Sequence, residues 1–219
     1  MASSAPRVVA PEPPADLHTI SLPLHPGPTL VWYRINDRNF PNPVFWSRRG
    51  KLRFDSSGAK WGVYYAAESV TAALQEVFGD DFRKKRPFSW NRFLAYDAWR
   101  FEVGPGLKGL ELAGPNLATI RATLQSFVGS YPKSQRWGAA LMNHPDDIDA
   151  LLYLGRKSGA HCIALFGDDK ATRPHQASLV TTNLGPLVSW RRLFSTLLRF
   201  RLRISNFPAS RPPSLFDAP

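Results

Sequence analysis

Residues 64–78, YYAAESVTAALQEVF, constrain the fold more than any other stretch of the chain. Aromatic and small residues lead into Glu68 and Ser69, after which Val70, Ala73, Leu74 and Val77 recur at i, i+3, i+4, i+7. The sequence period changes there from that of a strand to that of a helix, and serine caps helix N-termini through its hydroxyl. The expectation is a strand feeding an amphipathic helix. Glu76 stands two positions past Leu74, opposite or beside the apolar stripe, where an acid either faces water or closes a pocket. Pattern alone favours water.

Around this unit the other segments fall in order. Residues 1–28 carry seven prolines among small and polar residues and read as a disordered N-terminal arm. Residues 29–35, TLVWYRI, form an apolar, β-branched and aromatic run expected to be a strand, with Arg34 near its end. Residues 36–62 are loop-rich, with room for one short strand, and the cluster Arg48, Arg49, Lys51, Arg53 reads as solvated surface. Gly79 and the charges and proline after it mark a helix end. Residues 92–103 alternate as a strand, paired near the first. Residues 104–109, GPGLKG, match the three-glycine dinucleotide pattern formally. Pro105 and the lack of a following helix make them a turn instead. A helix is expected over 116–128, capped by Asn116 and facing inward with Leu117, Ile120, Leu124 and Val128. A second begins near Trp137. Residues 144–166 read as turn, strand, basic hairpin and strand. Residues 187–204 interleave arginines with large apolar side chains, as a basic helix or partner-facing surface.

Composition excludes several function classes. A chain of 219 residues fits one domain, here residues 29–186, with 187–219 as a basic C-terminal helix and tail. A net charge of +11 favours an anionic partner, whether a phosphate-bearing small molecule, a nucleic acid or an acidic protein. The single Cys162 excludes an intrachain disulfide and fits a reducing compartment. With neither a leader-like start nor a long apolar run, a cytoplasmic protein off the membrane is expected. Serine-hydrolase elbows, phosphate loops and zinc motifs are missing from the sequence. His144, Asp146, Asp147 and Asp149 lack a second histidine at ligand spacing and read as a capped turn rather than a metal site. Cys162 reads as a small buried thiol.

Three motifs, taken in order, resemble the RES domain family. They are WYRI with Arg34, then LRFDSSGAKWGVYYAAESVTAALQEVF with Arg53, Tyr65 and Glu76, and finally DALLYLGRKSGAHCIALF with Tyr153, Arg156 and Cys162. The resemblance covers roughly residues 30–184. The family takes its name from an arginine, a glutamate and a serine. The serine position falls on Gly155 here, and Ser158, three residues on, is the nearest hydroxyl able to reach the site by a shifted turn.

The resemblance implies a single α+β domain, an ADP-ribosyltransferase-like mixed sheet core with flanking helices, acting on NAD without a metal. It also implies a toxin neutralised by a cognate antitoxin with a helix-turn-helix region, and NAD phosphorolysis with inorganic phosphate as co-substrate. In that chemistry Glu76 would stabilise the cationic sugar, Arg34 and Arg53 would hold pyrophosphate or phosphate, and Tyr65 would stack on nicotinamide or orient ribose. Without the family, the two arginines are surface residues and Tyr65 a core aromatic. Two alternatives stay open: ADP-ribosylation of a protein, and a fold disabled at Gly155 that binds an acidic partner or nucleic acid through Arg191, Arg192, Arg199, Arg201 and Arg203. Direct nucleic-acid binding is not the leading expectation, and the arginine-rich end permits a homodimer without requiring one.

Overall fold

The computed structural model describes residues 10–26, 30–40, 42–84, 88–167, 179–187 and 204–205. In chain order these residues form a 3-10 turn at Leu17–Thr19, β1 (Leu24–Pro26), β2 (Leu30–Asp37), β3 (Gly62–Ala67) and α1 (Val70–Arg83). Next come β4 (Phe88–Ser89), α2 (Trp90–Leu94), β5 (Tyr96–Val103), β6 (Lys108–Glu111), α3 (Pro115–Thr119), α4 (Leu124–Val128) and α5 (Tyr131–Met142). The last elements are β7 (Ala150–Leu154), β8 (His161–Gly167), β9 (Val180–Pro186) and β10 (Ile204–Ser205). Eight strands make one mixed sheet in the order β1-β6-β7-β8-β3-β2-β5-β9, and β6 with β7 is its one parallel pair among the described residues. This is an α+β domain, as expected.

The strand-to-helix unit is present as β3 and α1. Ser69 caps the helix, its hydroxyl accepting from Ala72 N at 3.1 Å. The buried stripe of α1 runs Val70, Leu74, Phe78 and Phe82, and burying the Phe78 ring alone stabilises the domain by about 1.5–3 kcal/mol. Val77, assigned to the stripe by its spacing, is 39% exposed. Phe78 takes the inward place, being larger and one position round the helix.

The sheet is covered on both faces, which is why its central strands read as continuous apolar runs. On β8, Cys162, Ala164 and Phe166 join one buried cluster and Ile163 and Leu165 the other. On β3, Val63 and Ala67 face the first cluster and Tyr64 and Ala66 the second. β2 pairs with β5 over its whole length, from Leu30↔Val103 to Asp37↔Tyr96.

Four expectations need correction. Residues 10–26 of the proline-rich arm are packed: β1 pairs with β6, Leu17 and Leu22 are buried, and Pro11 O accepts from Trp137 Nε1 at 3.1 Å. Composition missed this because the arm is held by its backbone carbonyls and a few leucines. Residues 1–9 and 27–28 of that arm lie outside the described residues. Gly79 does not end its helix, which runs on to Arg83. The helix expected over 116–128 is two short ones, broken where Arg121 takes a φ of 56° and Thr123 starts α4 with a capping box. Residues 92–94 belong to α2, so the strand starts only at Tyr96. The arginine-rich segment 188–203 lies outside the described residues.

Candidate active site

The site arises from a fault in the sheet. β2 and β3 share a single ladder pair, Tyr33↔Ala67. Beyond it the two strands carry no pairing, and a cleft of ≈ 400 Å³ lies against them. Its lining includes Arg34 from β2, Tyr65 from β3, Glu76 and Val77 from α1, Arg53 from the preceding loop, and Lys157 and Cys162 around the β7–β8 turn. Six residues named with the three motifs, Arg34, Arg53, Tyr65, Glu76, Tyr153 and Cys162, thus share one cleft. The cleft explains Val77 of α1 as well, since its exposed side chain is cleft wall.

Glu76 closes the pocket instead of facing water. Its Oε1 accepts from Lys157 N at 3.0 Å, Ser158 N at 2.8 Å and Ser158 Oγ at 2.8 Å. Oε2 takes no hydrogen bond among the described residues. Lys157 Nζ donates to Glu76 O at 3.0 Å and pairs with Asp80 Oδ2 at 2.9 Å. The Lys157 ammonium in turn holds the Asp80 carboxyl below its ordinary value. A Cβ on Gly79 would lie 2.9 Å from Lys157 Cβ, so the mid-helix glycine lets the lysine stem cross α1.

The turn between β7 and β8 brings Ser158 to that carboxylate. Gly155 N donates to Ala160 O at 2.8 Å, Gly159 N to Gly155 O at 2.9 Å, and Gly159 takes the left-handed φ of +68°. A Cβ added to Gly155 would fall 2.4 Å from both Glu76 Oε1 and Ser158 Oγ, and 2.9 Å from Cys162 Sγ. The Ser158 hydroxyl therefore occupies the space that a side chain at 155 would need. Glycine at 155 and serine at 158 belong together.

Two guanidiniums face the cleft. Arg34 donates to Phe45 O at 3.3 Å and lies over the Tyr64 ring, 4.4 Å from its centroid. The packing around Arg34 lowers its pKa from the ordinary arginine value, and burial pushes the Tyr64 phenol up to about 12. Arg53 is only 7% exposed, donates to Leu154 O at 3.3 Å and lies 5.3 Å from the Tyr153 ring centroid. Neither has a carboxylate partner among the described residues. A cation drawn from water without a counter-ion is costly, and with Arg53 buried and Arg34 half-buried both are suited to an anionic ligand.

Tyr65 lines the cleft, with its hydroxyl held inside the protein. Its hydroxyl donates to Asp55 Oδ1 at 2.9 Å and accepts from Phe54 N at 2.9 Å, so both directions are taken within the protein. Burial first, and then the Asp55 carboxylate, push this phenol well above its ordinary value. Cys162 is 1% exposed and its thiol is pushed up to about 12 by burial and then by Glu76, which fits a packed thiol. His144 ring nitrogens bind Leu17 O and Asp146 N, Asp146 holds Leu22 N and Asp149 holds Lys108 N. Among the described residues no His, Cys, Asp or Glu group is arranged to hold a metal ion. Sequence reasoning passed over Lys157 and Asp55. Their signals were adjacency to Ser158 in the basic turn and the place two residues after Arg53.

The model of the RES domain matches residues 31–184. The chain belongs to the RES domain family. No curated protein matched the sequence. Among solved structures, a chain of the M. tuberculosis MbcT-MbcA toxin–antitoxin complex is similar, with a TM-score of 0.55 and 18% identity over 74% of this chain and 88% of that one. At that identity the likeness bears on the fold, a single RES domain with a mixed sheet and flanking helices. The RES domain match includes every cleft residue named above. No helix among the described residues is long and apolar enough to cross a membrane.

Proposed function

We propose that this RES domain is a toxin that consumes NAD by cleaving the bond between nicotinamide and ribose, with inorganic phosphate as the acceptor. The observation that carries the proposal is a carboxylate fixed through one oxygen in a cleft that also presents two guanidiniums without acidic partners among the described residues. As the bond to nicotinamide breaks, the ribose gains oxocarbenium character. Glu76, oriented by Ser158 and the Lys157 amide, offers Oε2 to that charge or to the ribose hydroxyls. A phosphate oxygen forms the new bond to the anomeric carbon, and nicotinamide leaves with the bonding pair as the neutral base. The products are nicotinamide and ADP-ribose phosphate.

Arg34 and Arg53 suit the two anions in this reaction, the pyrophosphate of NAD and the incoming phosphate, because guanidinium forks match phosphate oxygens. The Ser158 hydroxyl on Glu76 favours a working site over one disabled at Gly155. A protein acceptor would use the same cleft and remains the second chemistry. The neighbour's name, a toxin–antitoxin complex, supports an antitoxin as the partner of this chain. The cytoplasm, where NAD and phosphate are plentiful, fits that activity.

The test is NAD turnover in phosphate buffer by the purified protein and by Glu76→Gln, which keeps size and removes charge. A loss of about 100-fold or more in kcat is expected. Equal turnover by both proteins would refute the role of Glu76.

A further inference from the structure

The loop that carries Arg53 is held more firmly than a surface connection requires. Asp55, fully buried, accepts Lys51 N and Leu52 N on Oδ2, each at 3.0 Å, and the Tyr65 hydroxyl on Oδ1. The same hydroxyl accepts Phe54 N. From the other side Gln135 Nε2 donates to Gly50 O and Leu52 O, each at 2.9 Å. Phe54 is wholly buried against Phe127 and Tyr153, and Gly138 of α5 lets the helix backbone approach it, since a Cβ there would sit 3.1 Å from Phe54 O. Backbone groups on both sides of Arg53 are thus tied to side chains from β3, α5 and the loop itself.

We propose that Asp55 and the Tyr65 hydroxyl are positioning residues that fix the Arg53 guanidinium in the cleft for a phosphate-bearing ligand. This rests on the reading of Arg53 as an anion-binding group. A guanidinium binds phosphate oxygens best when its fork is held in one orientation before the ligand arrives, because less freedom is lost on binding. Arg53 itself has four side-chain torsions, so the part of its orientation that the protein sets in advance is the direction of its backbone. Asp55 sets it by gathering the amides of residues 51 and 52, and Tyr65 sets it through the amide of residue 54. The three donors on Asp55 are two backbone amides and a phenol that burial keeps protonated, so the carboxylate is spent on the loop and not on ligand. The Tyr65 hydroxyl thereby serves the support of Arg53.

The probe is inorganic pyrophosphate, with binding to the full chain measured by calorimetry for wild type, Asp55→Asn, Tyr65→Phe, Arg53→Ala and the corresponding doubles. Asp55→Asn and Tyr65→Phe should each weaken binding by roughly tenfold, and in the Arg53→Ala background neither should weaken it further. Loss of the same size in both backgrounds, no loss in either, or no pyrophosphate binding by wild type would overturn the proposal. Should Asp55→Asn fail to fold, Tyr65→Phe carries the cycle, because it removes one oxygen and keeps the ring. Amide exchange on the wild type gives a further check: Lys51, Leu52 and Phe54 should be strongly protected, and rapid exchange there would contradict the brace. Both readouts are independent of turnover, so an inactive wild type would count against NAD cleavage while the positioning of Arg53 is still decided.

Discussion

Replacing Gly155 by serine, which brings the residue the family's name calls for to that position, should damage this protein. The added Cβ would lie 2.4 Å from Glu76 Oε1, 2.4 Å from Ser158 Oγ and 2.9 Å from Cys162 Sγ. The first two are ends of side chains and can retreat, so the backbone need not break. What is lost is the Ser158 Oγ to Glu76 hydrogen bond at 2.8 Å, a bond to a charged group. Such bonds contribute about 1.5–3 kcal/mol, and crowding against the buried Cys162 adds to that. For a chain of this size each kcal/mol lowers Tm by about 2–4 °C, so Gly155→Ser should melt roughly 3–12 °C below wild type. The decisive comparison is Gly155→Ser/Ser158→Gly, which frees the space and supplies a hydroxyl from 155. It should recover most of the lost Tm, giving a coupling of opposite sign to the single losses. A Gly155→Ser protein with wild-type Tm, or a double mutant that simply sums the two losses, would refute the assignment of that space to Ser158.

Further outcomes follow from the same contacts. Gly79→Ala should destabilise by up to about 2 kcal/mol in urea titration, since crowding of the Lys157 stem costs about 1–3 kcal/mol against a gain of about 1 kcal/mol in helix propensity. A stabilised variant would show that the stem crosses elsewhere. Native Cys162 should resist iodoacetamide at pH 8 and react only on unfolding; because its thiol holds its proton to about 12 while an unfolded one releases it near 9.0, folding should also weaken as pH rises above 9.0. Glu12 is lowered from 4.5 to about 2 by its hydrogen bond to Arg136 and by Lys133, so its support for folding is present above pH 4.5 and fades towards pH 2. Any stability gap between wild type and Glu12→Gln at pH 7 should therefore close at pH 2, and a gap that persists there would refute the ion pair.

Local chemistry made much of this legible. The change of period at Ser69 located β3 and α1 because its hydroxyl caps the helix just past the strand's end. The alternating run before Val103 located β5, and the apolar run before Gly167 located β8, since a strand buried on both faces shows no polar side. Tertiary contacts decided the rest. Gly79 looked like a helix end, and only the Lys157 stem crossing over it explains a glycine inside α1. The proline-rich arm looked loose, and its grip comes from carbonyls such as Pro11 O and Leu17 O, which no side-chain pattern reports. Motif order gathered Arg34, Arg53, Tyr65 and Glu76, and the cleft does bring them together. It did not reveal that the Tyr65 hydroxyl is spoken for by Asp55, since that depends on how a loop folds back.

The measurement that bears most directly on the account is product analysis of NAD incubated with the full chain, with and without inorganic phosphate, separating nicotinamide, ADP-ribose and ADP-ribose phosphate. The cleft as described predicts nicotinamide release that depends on phosphate, ADP-ribose phosphate as the second product, and neither with Glu76→Gln. Intact NAD under both conditions, or release that Glu76→Gln leaves unchanged, would contradict it.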